Sequence, residues 1–299
     1  MDKKKMLFIY NPHAGKASIR SNLLDMIDIF TKAGFEVTAY PTQQQGDAIK
    51  ATREKADDVQ ILACSGGDGT LDEVVTGMME CENRIPIGYV PAGTTNDFAK
   101  SLGISSGMIK AAESIVSGRL FPCDIGSFND DTFVYIAAFG LFTDVSYATD
   151  QQIKNVLGHM AYILEGAKRI NSIPSYHVKY IHDGVETEGD FMFGMITNSL
   201  SVGGFRKITG KNVKLDDGLF EVTLIKKPKN MIELNLVLAS LVERKFVTEY
   251  IESFKTNEIY IETEENIPWT LDGEFGGYHS KVNIINEKQA LEIIVPEKV

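Results

Sequence analysis

The chain has 299 residues, 43% of them hydrophobic and 24% charged, with 26 glycines, which excludes a disordered chain, a collagen and a coiled coil. Thirty lysines and arginines against 41 aspartates and glutamates give a formal charge of −11. That balance argues against nucleic acid as the main partner, because neutralising phosphates takes a basic surface. The length suits two domains of ordinary size. From Met6 to Tyr10 a compact apolar strand is expected, ending at Asn11-Pro12. Its apolar stretch is too short for the core of a secretory signal. Leu23, Leu24, Ile27 and Phe30 then recur at helical spacing, and Ala33-Gly34 makes a stop. Glu36–Tyr40 reads as a strand, Asp47–Ala56 as a helix, Val59–Ala63 as a strand, Thr70–Met79 as a helix and Pro86–Val90 as a strand. Helices near Thr95–Leu102 and Met108–Val116 follow. This alternation predicts an α/β domain, a Rossmann-like parallel sheet covered by helices.

After about Pro122 the pattern changes. Phe133–Phe139, Tyr176–Ile181, Asp190–Thr197, Leu219–Ile225, Glu258–Glu262 and Val282–Ile285 read as strands, with turns such as Asp183-Gly184 and Asp216-Asp217-Gly218 between them. They predict a mainly antiparallel β-sandwich second domain, interrupted by helices near Gln151–Asn171 and Asn230–Val242. The expected boundaries are 1–123 and 124–287, with a last strand near Leu291–Val295, within 288–299, returning to the first domain. No apolar run approaches the roughly 20 residues that cross a bilayer. Three scattered cysteines, Cys64, Cys81 and Cys123, imply neither zinc nor a disulfide framework, and the cytoplasm is the expected compartment.

Ser65-Gly66-Gly67-Asp68-Gly69-Thr70 follows a buried strand and opens a helix. Glycines let the backbone approach a ligand closely, and the helix behind them aims free N–H groups and a positive dipole end at the loop. Asp68 would repel a bare phosphate, so it makes sense on a sugar hydroxyl or on the magnesium that accompanies a nucleotide. Alone, the segment reads equally as a glycine-rich turn. It is joined by Asn11-Pro12-His13-Ala14-Gly15-Lys16 after the first strand and Pro91-Ala92-Gly93-Thr94-Thr95-Asn96-Asp97 after the fourth. All three leave the carboxyl ends of parallel strands, where an open α/β sheet keeps its ligand crevice. Neither a Walker A loop nor a GxGxxG fingerprint is present, so a nucleotide site of another kind is expected.

Asn-Pro-x-x-Gly, Gly-Gly-Asp-Gly-Thr-Leu-x-Glu and Pro-x-Gly-Thr-x-Asn-Asp-Phe, in this order, resemble the diacylglycerol kinase catalytic family, which includes sphingosine, ceramide and bacterial YegS-like lipid kinases. Asp124-Ile125-Gly126, Lys214-Leu215-Asp216-Asp217-Gly218 and Leu271-Asp272-Gly273-Glu274 stand where that family has its later markers. The chain is most similar to the soluble bacterial diacylglycerol kinases. The resemblance implies an ATP- and magnesium-dependent kinase that phosphorylates diacylglycerol to phosphatidic acid, bound peripherally to the inner membrane face and acting as a homodimer. It implies ATP contacts at Asn11, Pro12, His13, Ala14, Gly15, Thr42, Gly67, Asp68, Gly69, Thr70, Leu71, Asp72, Glu73, Thr94, Asn96 and Asp97. Asp97 and Asp68 would organise magnesium. Asp272 would accept the hydroxyl proton, a step typically worth a factor of about 10² to 10⁴, with Glu274 as a supporting carboxylate. Asp217, with the carbonyls of Lys214 and Leu219, would hold a structural magnesium.

Both Asp-Gly segments are equally ordinary turns by composition, and Asp272 is expected to be exposed by its turn. The five histidines show no metal spacing, Cys64 and Met78 are expected in the core, and Trp269 beneath the Asp272 turn. Lys154, Lys168, Arg169, Lys16, Arg20 and Lys100 are candidate membrane contacts, although solvated charge explains them as simply. Rival readings are a kinase acting on another lipid or polyol, an NAD kinase, and an ATP-binding regulator without transfer.

Overall fold

A computed structural model of the chain describes residues 4–17, 19–141, 173–202, 205–206, 213–242 and 248–297; the helix expected over 151–171 lies outside them. The chain divides into two compact units, one from 1–125 and 288–299 and one from 126–287.

The first unit runs β1 (Lys4–Tyr10), α1 (Ala14–Ala17), α2 (Ile19–Lys32), β2 (Phe35–Pro41), α3 (Asp47–Lys55), β3 (Ile61–Gly66), α4 (Asp68–Met79), β4 (Ile87–Pro91), α5 (Asp97–Ser101), α6 (Met108–Ser117) and most of β5 (Arg119–Phe128). Strands pair in parallel in the order β2-β1-β3-β4, and Ile293 and Ile294 add in parallel beside Ile87 and Gly88. Met6, Leu7, Phe8 and Ile9 are all fully buried. Such continuous burial, rather than alternation, is what a strand shows when both faces of its sheet are covered. Met26 and Phe30 of α2, Val74, Val75 and Met78 of α4, and Ala111, Ala112 and Ile115 of α6 supply the helical side of this core. Phe8 meets Phe30 edge-on at 5.4 Å, a contact worth about 1 kcal/mol beyond its buried area.

The second unit contains β6 (Asp131–Phe133), β7 (Ile136–Gly140), β8 (Tyr176–His182), β9 (Val185–Thr197), β10 (Ser201–Val202), β11 (Phe205–Arg206), β12 (Phe220–Lys226), α7 (Met231–Val242), β13 (Ile251–Thr256), β14 (Glu258–Leu271) and β15 (Glu274–Val295), whose last residues belong to the first unit. Pairing is antiparallel in the order β13-β12-β9-β7-β14-β15. Strand β8 pairs with the early parts of both β9 and β14, while β7 takes their later parts. The register of β14 shifts between Glu262 and Ile267, the kind of irregularity that bends a strand from one layer to another. Ile259, Ile261, Ile267, Trp269 and Leu271 project from β14 into the core, where Trp269 meets Phe128 at 5.0 Å and Phe139 at 4.9 Å.

Several elements differ from expectation. A short 3₁₀ turn at Ala56–Asp58 delays β3 to Ile61, from which it extends to Gly66. Helix α5 is shortened to Asp97–Ser101. Strands β5 and β13 were not expected, Pro122 and Gly126 having masked the first as a boundary. The strand expected over 133–139 is broken after Phe133 and resumes at Ile136, for a reason that lies in the site.

Candidate active site

In the first unit, three loops leave the carboxyl ends of adjacent parallel strands: after Tyr10, after Gly66 and after Pro91. Backbone hydrogen bonds continue the ladder beyond the strands. Asn11 N–H donates to Ser65 O at 2.9 Å, Ala92 N–H to Gly66 O at 2.7 Å and Thr42 N–H to Tyr10 O at 2.9 Å. A β-carbon on Gly93 would lie 2.6 Å from Gly67 Cα, so the two loops approach at a distance only glycine permits. Asn96, itself at φ 48°, clamps the second of them. Its Oδ1 accepts Gly93 N–H at 3.0 Å and its amide donates to Gly93 O at 2.8 Å. The buried Tyr89 hydroxyl lies 3.1 Å from Gly66 O and 3.2 Å from Asn96 Oδ1. Burial, reinforced by the charge of Asp68, pushes its pKa well up, so it remains an O–H at neutral pH.

Helix α4 starts immediately behind Gly67 with no side-chain cap, which directs its opening amides at this paired-glycine loop and suits an anionic oxygen. Asp68 Oδ2 accepts Asp97 N–H at 3.4 Å, and the buried Asp97 carboxylate lies 3.6 Å from Lys100 Nζ. A cavity of about 940 Å³ opens beside the Pro91–Asn96 loop, reaching Asn22, Lys100, Ser106 and Lys110. Thr94, His13 and Gly15 are exposed at the rim of the loops, and Asn11 Oδ1 accepts His13 N–H at 2.9 Å. Two residues expected at the nucleotide serve the fold. Glu73 spends both oxygens on α3, accepting Gly46 N–H at 2.8 Å and Ala48 N–H at 3.1 Å, and the Leu71 side chain is in the core.

In the second unit, Leu271 pairs with Glu274, and Asp272 and Gly273 take φ 52° and 90°. That is the two-residue hairpin with positive φ at both central positions, for which Asp-Gly is a preferred pair. The turn forms as composition expects; the exposure does not. Asp272 is 5% exposed. Its Oδ2 accepts Val134 N–H at 2.5 Å, and its Oδ1 accepts the N–H groups of Tyr135 and Ile136 at 2.9 Å each. Asp272 N–H donates to Ile136 O at 2.8 Å, and Tyr135 O–H donates to Asp272 O at 3.1 Å. Here is the reason β6 and β7 do not join: the amides between them serve a carboxylate instead of a ladder. Charge-assisted bonds of this kind stabilise the ionised carboxylate and fix its orientation. Glu274 is exposed.

Both halves of the chain match one known architecture. The diacylglycerol kinase catalytic domain family matches residues 5–128, and the YegS C-terminal NAD kinase β-sandwich-like domain matches residues 136–295. A diacylglycerol kinase of Staphylococcus carnosus is 35% identical over 99% of this chain and 97% of its own length. That of Bacillus subtilis is 33% identical over the same shares. The chain belongs to the diacylglycerol kinase family. A crystal structure of a diacylglycerol kinase from Bacillus anthracis superposes with a TM-score of 0.77 at 26% identity, covering 99% of this chain and 98% of that one. A second structure from that organism reaches 0.83 at 29% identity, covering 99% and 96%.

Magnesium fits one of the two places where the family resemblance implies it. A nucleotide-borne magnesium takes most of its oxygens from phosphates and water and needs one or two carboxylates. Asp68, beside the start of α4, would supply one; the Asp97 N–H donates to it at 3.4 Å, while the Asp97 carboxylate is itself engaged by Lys100 at 3.6 Å. The segment around Asp217 does not fit. Asp217 Oδ1 accepts Leu219 N–H at 3.1 Å, and Oδ2 lies 3.4 Å from Lys255 Nζ. The same ammonium lies 2.8 Å from Oε1 of Glu221, a buried residue directly across the ladder from Lys255. A resident positive charge beside Asp217 opposes a dication, so Asp217 as arranged sits in an ion-paired turn. Burial pushes the Glu221 carboxyl up to about 7 even with Lys255 beside it. Among the described residues, no three His, Cys, Asp or Glu side chains gather as a metal cluster.

Sequence reasoning missed Tyr89, the Lys255–Glu221 pair and the donors from 134 to 136. Only Tyr89 carried a local signal, since a tyrosine inside an apolar strand needs a partner for its hydroxyl. Cys64 and Met78 are fully buried and Trp269 is in the core; burial holds the Cys64 thiol well above its ordinary pKa. The candidate membrane contacts Lys154, Lys168 and Arg169, and the side chain of Lys16, lie outside the described residues.

Proposed function

We propose that this protein transfers the γ-phosphoryl group of ATP to the hydroxyl of diacylglycerol, giving phosphatidic acid, and that it works at the inner membrane face as a peripheral homodimer. The supporting observation is the glycine pair, Gly67 against Gly93 at the uncapped start of α4, in a chain 35% identical along its length to a diacylglycerol kinase. The loop amides and the first turn of α4 receive the phosphates. Asp68, with Asp97 beside it, would hold the magnesium that enters with ATP, which would supply neutralisation of phosphate charge.

Asp272 receives the lipid hydroxyl. Its carboxylate, fixed by three backbone donors, accepts the hydroxyl's hydrogen bond and aims the oxygen lone pair. A loose, metaphosphate-like transition state forms little bond to the nucleophile, so a well-placed carboxylate suffices. Glu274 adds negative charge near the same turn. Among the described residues no helix is long and apolar enough to cross a bilayer.

The decisive experiment follows labelled phosphate from ATP, with and without magnesium, across diacylglycerol, monoacylglycerol, a sphingoid base, ceramide and a soluble polyol. Magnesium-dependent transfer to diacylglycerol is expected to dominate. Dominant transfer to a sphingoid base or polyol would move the acceptor elsewhere; tight ATP binding with no transfer to any acceptor would replace the kinase with a regulator.

A further inference from the structure

Helix α7 is apolar on both sides and packed on one. It begins with a reciprocal cap: Asn230 Oδ1 accepts the N–H groups of Ile232 and Glu233 at 3.0 and 2.9 Å, and Glu233 returns its Oε2 to Lys229 N–H at 2.7 Å. This arrangement fixes the first turn and uses the Glu233 carboxylate within the helix start. Leu234 and Val237 are buried. The opposite side shows Met231, Ile232, Asn235, Leu236 and Ala239 to solvent. Ile232 is 74% exposed, Met231 52% and Leu236 47%. The other large exposed apolar side chains of the described residues, Leu24, Leu120, Val185 and Leu200, stand singly along the chain, with the Phe275–Tyr278 pair the one further grouping. A helix apolar all round normally has cover on every side, and a grouped apolar patch marks a contact surface.

We propose that this face of α7 seats the protein on an anionic bilayer, Met231, Ile232 and Leu236 entering the boundary between headgroups and acyl chains, and Lys227 and Lys229 meeting lipid phosphates. The choice of occupant rests on the lipid kinase reading above; the patch itself does not. Two observations favour lipid over protein. The face carries aliphatic side chains and no Trp, Tyr or Arg, the residues that anchor protein interfaces. At its approach, Lys227 and Lys229 form no ion pair among the described residues, whereas Lys226 is paired with Glu252 at 2.7 Å. Exposed aliphatics preceded by lysines without ion pairs among the described residues suit the surface of an acidic bilayer.

The test uses the full chain, with phosphatidylcholine vesicles and phosphatidylcholine–phosphatidylglycerol vesicles, read by co-sedimentation. Wild type is expected to bind the anionic vesicles. The double variant Ile232→Ser, Leu236→Ser is expected to lose about tenfold in partition, about 1.4 kcal/mol, and Lys229→Gln about fivefold on anionic vesicles alone. Since these side chains are exposed, unchanged thermal melting checks that the variants fold. Transfer to a short-chain, dispersed diacylglycerol should stay at the wild-type rate while transfer to long-chain diacylglycerol in vesicles falls. Unaltered vesicle binding by the double variant overturns the proposal, and so does its conversion to a smaller oligomer with vesicle binding intact, which would make α7 a self-contact. Vesicle binding lost in the double variant, with no kinase activity in wild type toward any lipid, would uphold the docking face and sink the kinase reading instead.

Discussion

Two hairpin turns in this protein share a dipeptide and a backbone. Asp183-Gly184 takes φ 49° and 74°, and Asp272-Gly273 takes 52° and 90°. The first carboxylate is 60% exposed and lies 3.2 Å from the neighbouring His182. The second is turned inward onto three amides from the break between β6 and β7. Turn chemistry accounts fully for Asp183 and not at all for the burial of Asp272, since a type I′ hairpin asks only that its residues tolerate positive φ. Amides withdrawn from a ladder to hold one charge are a cost to the sheet, and such costs concentrate at functional sites. A third segment, Asp217-Gly218, shows another outcome: its carboxylate is engaged by an ammonium, Lys255. Neutral donors leave Asp272 its charge, while Lys255 cancels that of Asp217.

The sharpest way to break this comparison is Asp272→Asn. Phosphoryl transfer should fall by about 10² to 10⁴, while ATP binding to the first-unit loops, measured by calorimetry, stays within about twofold. The variant keeps its side-chain volume and tolerates positive φ, so a folded protein is expected. If Asp272 only braces the hairpin, the folded variant will lose stability yet keep its turnover number.

Much of the first unit is legible from residue order because its determinants are local. Gly67 and Gly93 each announce a close backbone approach, and the helix behind Gly67 follows at once. What no local pattern carries is the partner of Asp272, since its amide donors stand 136 to 138 residues away. Lys255 and Asp217 are separated by 38 residues and look like two solvated charges until the β12–β13 register faces Glu221 with Lys255. Strand β5 was hidden for a different reason: Pro122 and Gly126 signal a break, yet Cys123, Asp124 and Ile125 are all fully buried there. Asp124 earns its burial by accepting Gln289 N–H at 2.7 Å.

The ammonium-neutralised turn gives the next predictions. Lys255→Met leaves Glu221 buried without its counter-charge and should cost about 2 kcal/mol in urea unfolding, below the full value of a buried pair because Lys255 is partly exposed. With Lys255 in place, chelating magnesium should leave the melting temperature unchanged; a large drop on chelation would restore a metal to the Asp217 segment. Glu221 also sets a pH slope. Its folded pKa, about 7, lies above the ordinary 4.5, so between those values the folded state holds the proton that the unfolded state has released. Stability from this group therefore falls as pH rises through that window, by roughly 3 kcal/mol at most. Glu221→Gln should flatten the slope between pH 5 and 7, and an identical slope in that variant would assign the titration to another group.

The smallest effect belongs to the surface turn. Asp183→Asn preserves tolerance of positive φ and removes one exposed charge beside His182, a pair that solvent screens. Unfolding free energy should change by less than about 0.5 kcal/mol, and phosphoryl transfer should not change. Asp183→Ala lacks the local hydrogen bonding that eases a left-handed residue, and should cost about 1 kcal/mol. The same Asp→Ala change at Asp272 adds the loss of an acceptor for three buried amides, each worth about 1 kcal/mol or more when left unpaired. The gap between the two alanine variants thus measures what the inward carboxylate contributes beyond the turn. A gap near zero would mean that water replaces the carboxylate at those amides without cost, and that the break between β6 and β7 is maintained by something other than Asp272.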